Sequence, residues 1–227
     1  MREITVGDGA PRFAIWRTPQ ALIVPRGMPG RANFDAAAAG AEEQGWPVFE
    51  RDTGGDLTPQ TPGIVNLSLV FRMDGDRPSI ETAYRRLTAP VLAFLKSEFG
   101  LDATTQAVPG AFCDGAYNIA VGGKKLGGTA QRWRLLTAKD VAPAVADGAA
   151  HTPATPASAV LAHVALLCTI DLAPAIGMLN TFYRDLGLER RVDLDKHVTL
   201  AALTGDARAD PAAVAAQLER ALAGHGI

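Results

Sequence analysis

A lysine set among residues with almost no side chain can bring an ammonium to an anion lying on bare backbone. The stretch Gly122-Gly123-Lys124-Lys125-Leu126-Gly127-Gly128-Thr129-Ala130-Gln131 offers that combination. Its Gly-Gly pair follows the strand-like run Tyr117-Asn118-Ile119-Ala120-Val121 and reads as a hairpin turn, because both turn residues must accept positive φ. Alternation along the second strand is expected to put Lys125, Gly127, Thr129 and Gln131 on one face and Lys124 on the other, in solvent. That face suits a carboxylate and a phosphate held together. A solvated hairpin with an exposed lysine is the plainer alternative.

A second glycine-rich stretch, Arg51-Asp52-Thr53-Gly54-Gly55-Asp56-Leu57, follows the short strand Pro47-Val48-Phe49 and precedes a strand from Gly63 to Arg72. Together, Arg51-x-Thr53-Gly54-Gly55 and Lys125-x-x-Gly128-Thr129-Ala130 resemble the lipoate–protein ligase family, part of the biotin/lipoate ligase superfamily. The likeness runs from about Trp16 to Gly205. It implies an α+β fold with a mixed, largely antiparallel sheet covered by helices. It also implies that ATP and Mg2+ convert lipoate or octanoate to an acyl-adenylate. The acyl group would then pass to a lysine of a lipoyl-carrier domain, of a 2-oxoacid dehydrogenase or a glycine-cleavage-type protein.

Carried over residue by residue, Lys125 falls on the family's key lysine, which binds the carboxylate and an α-phosphate oxygen. Bringing two anions together makes charge neutralisation the main physical demand. Gly54 and Gly55 would let backbone approach the adenylate, Thr53 would supply a hydroxyl and Arg51 a phosphate contact. Gly128, Thr129 and Ala130 continue the binding surface. Gln60 stands where relatives often carry a histidine and can donate to a carbonyl or ribose. Asn118 stands where relatives have an aspartate, which makes Asp114 the substitute metal ligand. His163, in Leu161-Ala162-His163-Val164-Ala165, matches a histidine that lines the family's site. Read without the family, Arg51 is a solvated strand-end charge, Asp114-Gly115 a turn and His163 a hydrogen-bonded core residue. Asp56 departs from the pattern: it occupies the third glycine position and adds negative charge beside a site for anions.

Two other chemistries stay open. Related octanoyltransferases place a nucleophilic cysteine just before the position of His163 and form an acyl-thioester without ATP. Here Ala159, Val160, Leu161 and Ala162 stand there. Of the two cysteines, Cys168 lies among apolar neighbours and is expected to be inert, and Cys113 is a distant candidate, so adenylation is favoured. The other alternative is a non-catalytic protein that binds a lipoyl-like ligand or carrier domain, with Asp56 marking lost nucleotide chemistry.

The chain of 227 residues is 48% hydrophobic, enough for one domain with a substantial core over 1–227. Its net charge of −2 gives no electrostatic reason to expect nucleic acid or membrane as a partner. With no signal-like start and no apolar run of roughly 20 residues, a cytoplasmic protein is expected. Ala21–Val24 reads as a buried strand, and Asn33 as the cap of a helix from Phe34 to Gln44. In the strand from Gly63 to Arg72, Val65, Leu67, Leu69 and Phe71 share one face, with Asn66 and Ser68 on the other. A helix is expected from Pro78-Ser79 to about Phe99, kinked or broken at Pro90. A strand follows from Val160 to Ile170, then a helix capped by Asp171, a short strand from His197 to Leu203, and a last helix from Asp210-Pro211. The Ala/Pro/Thr-rich segment 137–158 reads as a flexible loop. Asp206 to Ile227 offers one helix where many lipoate ligases carry a further small domain. A separate accessory protein supplies that part, or the enzyme manages without it.

Overall fold

The computed structural model describes residues 10–74, 79–136 and 157–224. Among the described residues nine strands form two sheets. The larger has six antiparallel strands in the order β1-β5-β9-β8-β7-β6. These are β1 (Arg12–Trp16), β5 (Ile64–Asp74), β9 (Ala157–Leu167), β8 (Lys124–Leu135), β7 (Asn118–Val121) and β6 (Thr104–Gln106). The smaller sheet, β3-β2-β4, joins β2 (Ala21–Pro25) in parallel to β3 (Val48–Arg51) and antiparallel to β4 (Thr58–Gln60). The α-helices among the described residues are α1 (Phe34–Glu43), α2 (Ile80–Phe99), α3 (Leu172–Asp185), α4 (Leu200–Thr204) and α5 (Pro211–Gly224). The fold is α+β with a largely antiparallel sheet, as expected.

Strand periodicity decides which side of the large sheet becomes core. Val65, Leu67, Leu69 and Phe71 of β5 and Val160, Ala162, Val164 and Leu166 of β9 are all buried. They pack with Leu87, Val91 and Phe94 of α2 and Val214 and Leu218 of α5. Burying a side chain of this size contributes about 1.5–3 kcal/mol, so this face anchors the sheet. The middle of the opposite face is polar or small, between Ile64 and Leu167 at one end and Val70 and Leu161 at the other. Across it Trp16 pairs with Asn66, Asn66 with Ala165, and Ala165 with Gly128; one step along, Ser68 pairs with His163 and His163 with Ala130. A second core joins Leu22 and Val24 of β2 to α1 and α3, through residues such as Ala41, Ile176 and Phe182. It holds the small sheet in place.

Several expectations are corrected. The helix α2 runs unbroken through Pro90, with Ser79 Oγ accepting from the Thr82 N–H at 3.3 Å. Asn33 begins α1 from a left-handed conformation (φ 64°) and makes no side-chain cap. His197 to Leu203 is no strand: His197 makes one bridge with Lys125, and Leu200 opens α4 behind the cap of Thr199. The segment 137–158 lies outside the described residues except for Ala157 and Ser158, which begin β9. Among the described residues no helix is long and apolar enough to cross a membrane.

The most consequential correction concerns β8. Its pairing with β7 steps from Ile119↔Gly127 to Ala120↔Lys125, leaving Leu126 as an extra residue. A β-bulge of this kind reverses the alternation beyond it. Lys125 therefore faces the same cavity as Gly128 and Ala130, in place of the expected Lys125–Gly127 phase, and Leu126 enters the core beside Ile119.

Candidate active site

The polar face of the large sheet, the small sheet and the segment before β7 enclose a cavity of about 250 Å³. Gly128, Ala130 and Ala165 leave its floor open. Thr58 and Gln60 from β4 and Ile23 from β2 wall it, and Arg51, Thr53, Cys113 and Lys125 gather at one end. Thr129 and His163 also border the space. Gly54, Gly55 and Asn118 stand behind it: Gly54 N–H donates to Gln131 O at 3.5 Å, and Asn118 is buried.

Lys125 is fully buried (0% exposed). An ammonium has three N–H groups. One donates to Phe112 O at 2.5 Å and one to Cys113 O at 3.0 Å, which leaves the third to reach the cavity. Burial pulls the ammonium down to about 8, against the opposing pull of Cys113 and Asp114. A side chain at Gly128 would come within 3.3 Å of the Lys125 Nζ, so the glycine keeps room for this amine.

Cys113 holds a positive φ of 43°, a conformation that non-glycine residues adopt at a cost and that concentrates at functional sites. Its sulfur accepts from the Asp56 N–H at 3.0 Å and from Arg51 Nη2 at 3.4 Å. Burial pushes the thiol up, but Lys125, Arg51 and these two donors outweigh it, and the thiol lies below its ordinary value. A partly exposed, electropositive setting of this kind marks a reactive cysteine. Cys168, by contrast, is buried in the core and pushed up to about 12. Gly55, at φ 113°, is what allows the loop to close: a Cβ there would lie 2.7 Å from the Cys113 sulfur and 2.5 Å from Arg51 Nη2.

Two neutral histidines support this end of the molecule. His197 Nε2 accepts from the Phe112 N–H at 3.1 Å while Nδ1 donates to Asp193 O at 3.0 Å, so both ring nitrogens are fixed by backbone. Burial, with Lys125 nearby, lowers it to about 4, and its ring stacks on Phe112 with centroids 4.7 Å apart. His163, lowered to about 4 by burial and Arg51, shares a 2.8 Å hydrogen bond with Ser68, whose oxygen accepts from Trp16 Nε1 at 2.8 Å. The chain is satisfied when Ser68 donates to His163 Nδ1, which leaves His163 Nε2 protonated. Gln60 and Asn66 close on each other through two 3.0 Å hydrogen bonds, each side-chain amide donating once and accepting once.

ATP with magnesium is the cofactor implied by the sequence resemblance, and such a site needs oxygens free to take a cation. Asp114 Oδ1 accepts from the Val108 N–H at 2.7 Å and from Asn118 Nδ2 at 2.6 Å. Asp56 Oδ1 accepts from the Leu57 N–H at 2.7 Å, and its other oxygen pairs with Arg190. Among the described residues no three His, Cys, Asp or Glu side chains converge on a cation position. Asp114 and Asn118 brace the turn before β7 through one Asp114 oxygen, and a magnesium ion held there would draw its remaining oxygens from the nucleotide phosphates.

Sequence reasoning set Cys113 aside and missed His197, Phe112 and the Trp16–Ser68 pair. The signal for Cys113 was local: a cysteine beside an Asp-Gly turn, directly ahead of the lysine hairpin. Its partner at Asp56 is 57 residues away, a contact that spacing does not reveal.

The cavity is thus floored by small residues and has a thiol and a buried ammonium among its lining groups. The chain belongs to the lipoyl protein ligase A/B catalytic domain family, whose model it matches over residues 1–141. It is 37% identical over 215 residues to an uncharacterized protein of Cupriavidus necator, covering 92% of this chain and 81% of that one. It is 32% identical over 227 residues to the octanoyl-[GcvH]:protein N-octanoyltransferase of Kyrpidia tusciae, covering 97% of this chain and 72% of that one. The protein Ta0514 of T. acidophilum, solved with lipoic acid bound, shares the fold at a TM-score of 0.61. That match covers 94% of this chain and 71% of that one at 18% identity, a likeness of fold alone.

Proposed function

We propose that this chain, acting as one catalytic domain, transfers an octanoyl or lipoyl group between carrier proteins through a thioester on Cys113, without ATP. The observation that carries this reading is the Cys113 sulfur itself. It is half-buried at positive φ, held by the Asp56 N–H and Arg51, and lies at the same end of the acyl-sized cavity as Lys125. The 32% identity to an octanoyl-[GcvH]:protein N-octanoyltransferase favours the same chemistry. It also suggests GcvH-type or lipoyl-domain proteins as donor and acceptor.

In the first half-reaction the Cys113 thiolate adds to the carbonyl carbon of the acyl donor, an amide on a carrier lysine. The Asp56 N–H and the Arg51 guanidinium stabilise the thiolate, and the third Lys125 N–H faces the developing oxyanion or the leaving nitrogen. The C–N bond breaks as Lys125 gives its proton to the departing amine, leaving Cys113 acylated and Lys125 neutral. In the second half, an acceptor lysine attacks as the free amine. The C–N bond forms, the C–S bond breaks, and the attacking nitrogen returns a proton to Lys125. A lysine at about 8 suits both directions of that transfer. The cavity of about 250 Å³ is small beside ligand pockets of about 300–1,000 Å³, as a single unbranched chain requires.

Acyl-adenylate formation is the second reading, favoured by the position of Lys125. One experiment separates the two. Purified protein is incubated with octanoyl-GcvH and apo lipoyl domain without nucleotide, and separately with MgATP and octanoate or lipoate. Transfer without ATP and a hydroxylamine-labile acyl adduct on Cys113, both lost in Cys113→Ser, are expected. Acid-dependent pyrophosphate release that survives Cys113→Ser would establish the ligase instead. Binding without either turnover would point to a non-catalytic carrier-binding protein.

A further inference from the structure

Asp56 departs from the glycine-rich pattern of its loop, and the structure gives every polar group of this residue a partner. Its N–H donates to the Cys113 sulfur at 3.0 Å. Its carbonyl accepts from Arg51 Nη2 at 2.7 Å and from Thr58 Oγ1 at 3.0 Å. One carboxylate oxygen takes the Leu57 N–H at 2.7 Å; the other forms an ion pair with Arg190, from the segment after α3. Arg190 in turn lies over the Tyr183 ring, 5.5 Å from its centre. Tyr183 is fully buried with the Asp56 carboxylate beside its hydroxyl, and burial with that carboxylate pushes the phenol up from its ordinary value.

The backbone of Asp56 thus does two things for the thiol, directly and through Arg51, while its side chain presents a difficulty. A carboxylate on the residue that donates to the sulfur lies well inside a Debye length of about 10 Å from it. Unneutralised, it would oppose the thiolate. Arg190 is placed to remove that opposition and to fix the loop conformation that aims the N–H.

We propose that Asp56 and Arg190 form a positioning pair: Asp56 aims its N–H at the Cys113 sulfur and holds Arg51, and Arg190 pins Asp56 and cancels its charge. The proposal rests on the reading of Cys113 as the acyl-carrying nucleophile. The charged and titratable groups around the sulfur come from each packed element. They are Arg51 and Asp56 of the β3–β4 segment, Lys125 of β8, Tyr84 of α2, Tyr183 of α3 and the adjacent Asp114. Of these, Asp56 has its negative charge met by a cation that does not itself touch the sulfur, so Arg190 can be altered without removing a direct contact.

The test is the pH profile of iodoacetamide alkylation, quantified on the Cys113 peptide, for wild type, Arg190→Met, Asp56→Asn and the double variant, with acyl transfer assayed in parallel. Arg190 is 44% exposed at its side chain, and half-exposed pairs hold folds only weakly, so Arg190→Met keeps the fold. Arg190→Met should raise the Cys113 midpoint by roughly half a unit to one unit. Asp56→Asn in that background should return most of the shift, because it removes the charge left uncompensated; Arg190→Lys should restore it in part. A general loosening of the loop would not be repaired by Asp56→Asn. The proposal is overturned if Arg190→Met leaves the profile in place, or if the double variant stays as shifted as the single one. Profiles that move as expected in a protein whose transfer ignores Cys113 would uphold the pair and sink the nucleophile reading.

Discussion

Between Cys113 and Lys125 the useful charge states run in opposite directions with pH. The thiol, below its ordinary value, becomes thiolate as pH rises; the lysine, pulled down to about 8 by burial, loses its proton as pH rises further. Each supports the other's charged form. Lys125→Met should therefore raise the Cys113 midpoint by about one unit, the shift expected when a neighbouring cation is removed, and slow alkylation at pH 7 about tenfold. An unchanged alkylation rate in a folded variant would show that the ammonium does not stabilise the thiolate. At this scale the sequence was half legible. Lys125 stood out because glycines flank it, a local signal. Cys113 did not, because its activation comes from the Asp56 N–H, the Arg51 guanidinium and the Lys125 amine, which only the fold brings together.

Elements make that meeting possible, and two of them turn on features that strand and helix patterns do not encode. The bulge at Leu126 swings Lys125 into phase with Gly128 and Ala130; strict alternation from Lys125 puts it on the wrong face. The connection after α3 brings His197 against Phe112, taking the N–H of the residue whose carbonyl Lys125 grips. In sequence His197 opens a strand-like run; in the structure it precedes the Thr199 cap of α4. Its role has a thermodynamic signature. Unfolded, it takes a proton below about pH 6.5; folded, it resists until about 4. Its neutral form thus favours the fold fully above pH 6.5, and that advantage is lost as pH falls towards 4, by about 2 kcal/mol between pH 7 and pH 5. Denaturant unfolding at those two pH values should show a smaller difference in His197→Asn than in wild type. Equal differences would place the acid sensitivity elsewhere. The polar face of β5 and the caps at Ser79, Asp171 and Asp210 were readable, since each depends on neighbours close in sequence.

The molecule as a whole holds its cavity between two sheets, each secured by its own core. The large sheet rests on α2 and α5; the small one rests on α1 and α3 through Leu22, Val24 and Ile176. The two sheets meet at Arg51, Gln60 and the loop that contacts Cys113, and Cys113 itself packs against the second core, which is how that core bears on the site. Leu22 is fully buried, and Leu22→Ala should cost about 2–4 kcal/mol in denaturant unfolding. It should also lower acyl transfer more than binding of an acyl donor. A stable variant with wild-type transfer would show that the small sheet need not be fixed. The fold class was legible from strand and helix periodicity together with two glycine-rich stretches; the pairing of the sheets was not, since only packing between distant segments decides it.

The floor of the cavity holds one more consequence. Gly128, Ala165 and Ala130 lie on neighbouring strands beneath the space where a chain would run, and none carries more than a methyl group. Of the polar end, the thiol comes from the segment before β7, whereas Lys125 shares β8 with Gly128 and Ala130, and a Cβ at Gly128 would lie 3.3 Å from its Nζ. Floor and amine are therefore joined through one strand, and of the three small residues only Ala165 sits on β9: on the proposed reading, a valine there would act as a stop set into a gauge, shortening the acyl group that fits, whereas a side chain at Gly128 would press on the amine as well.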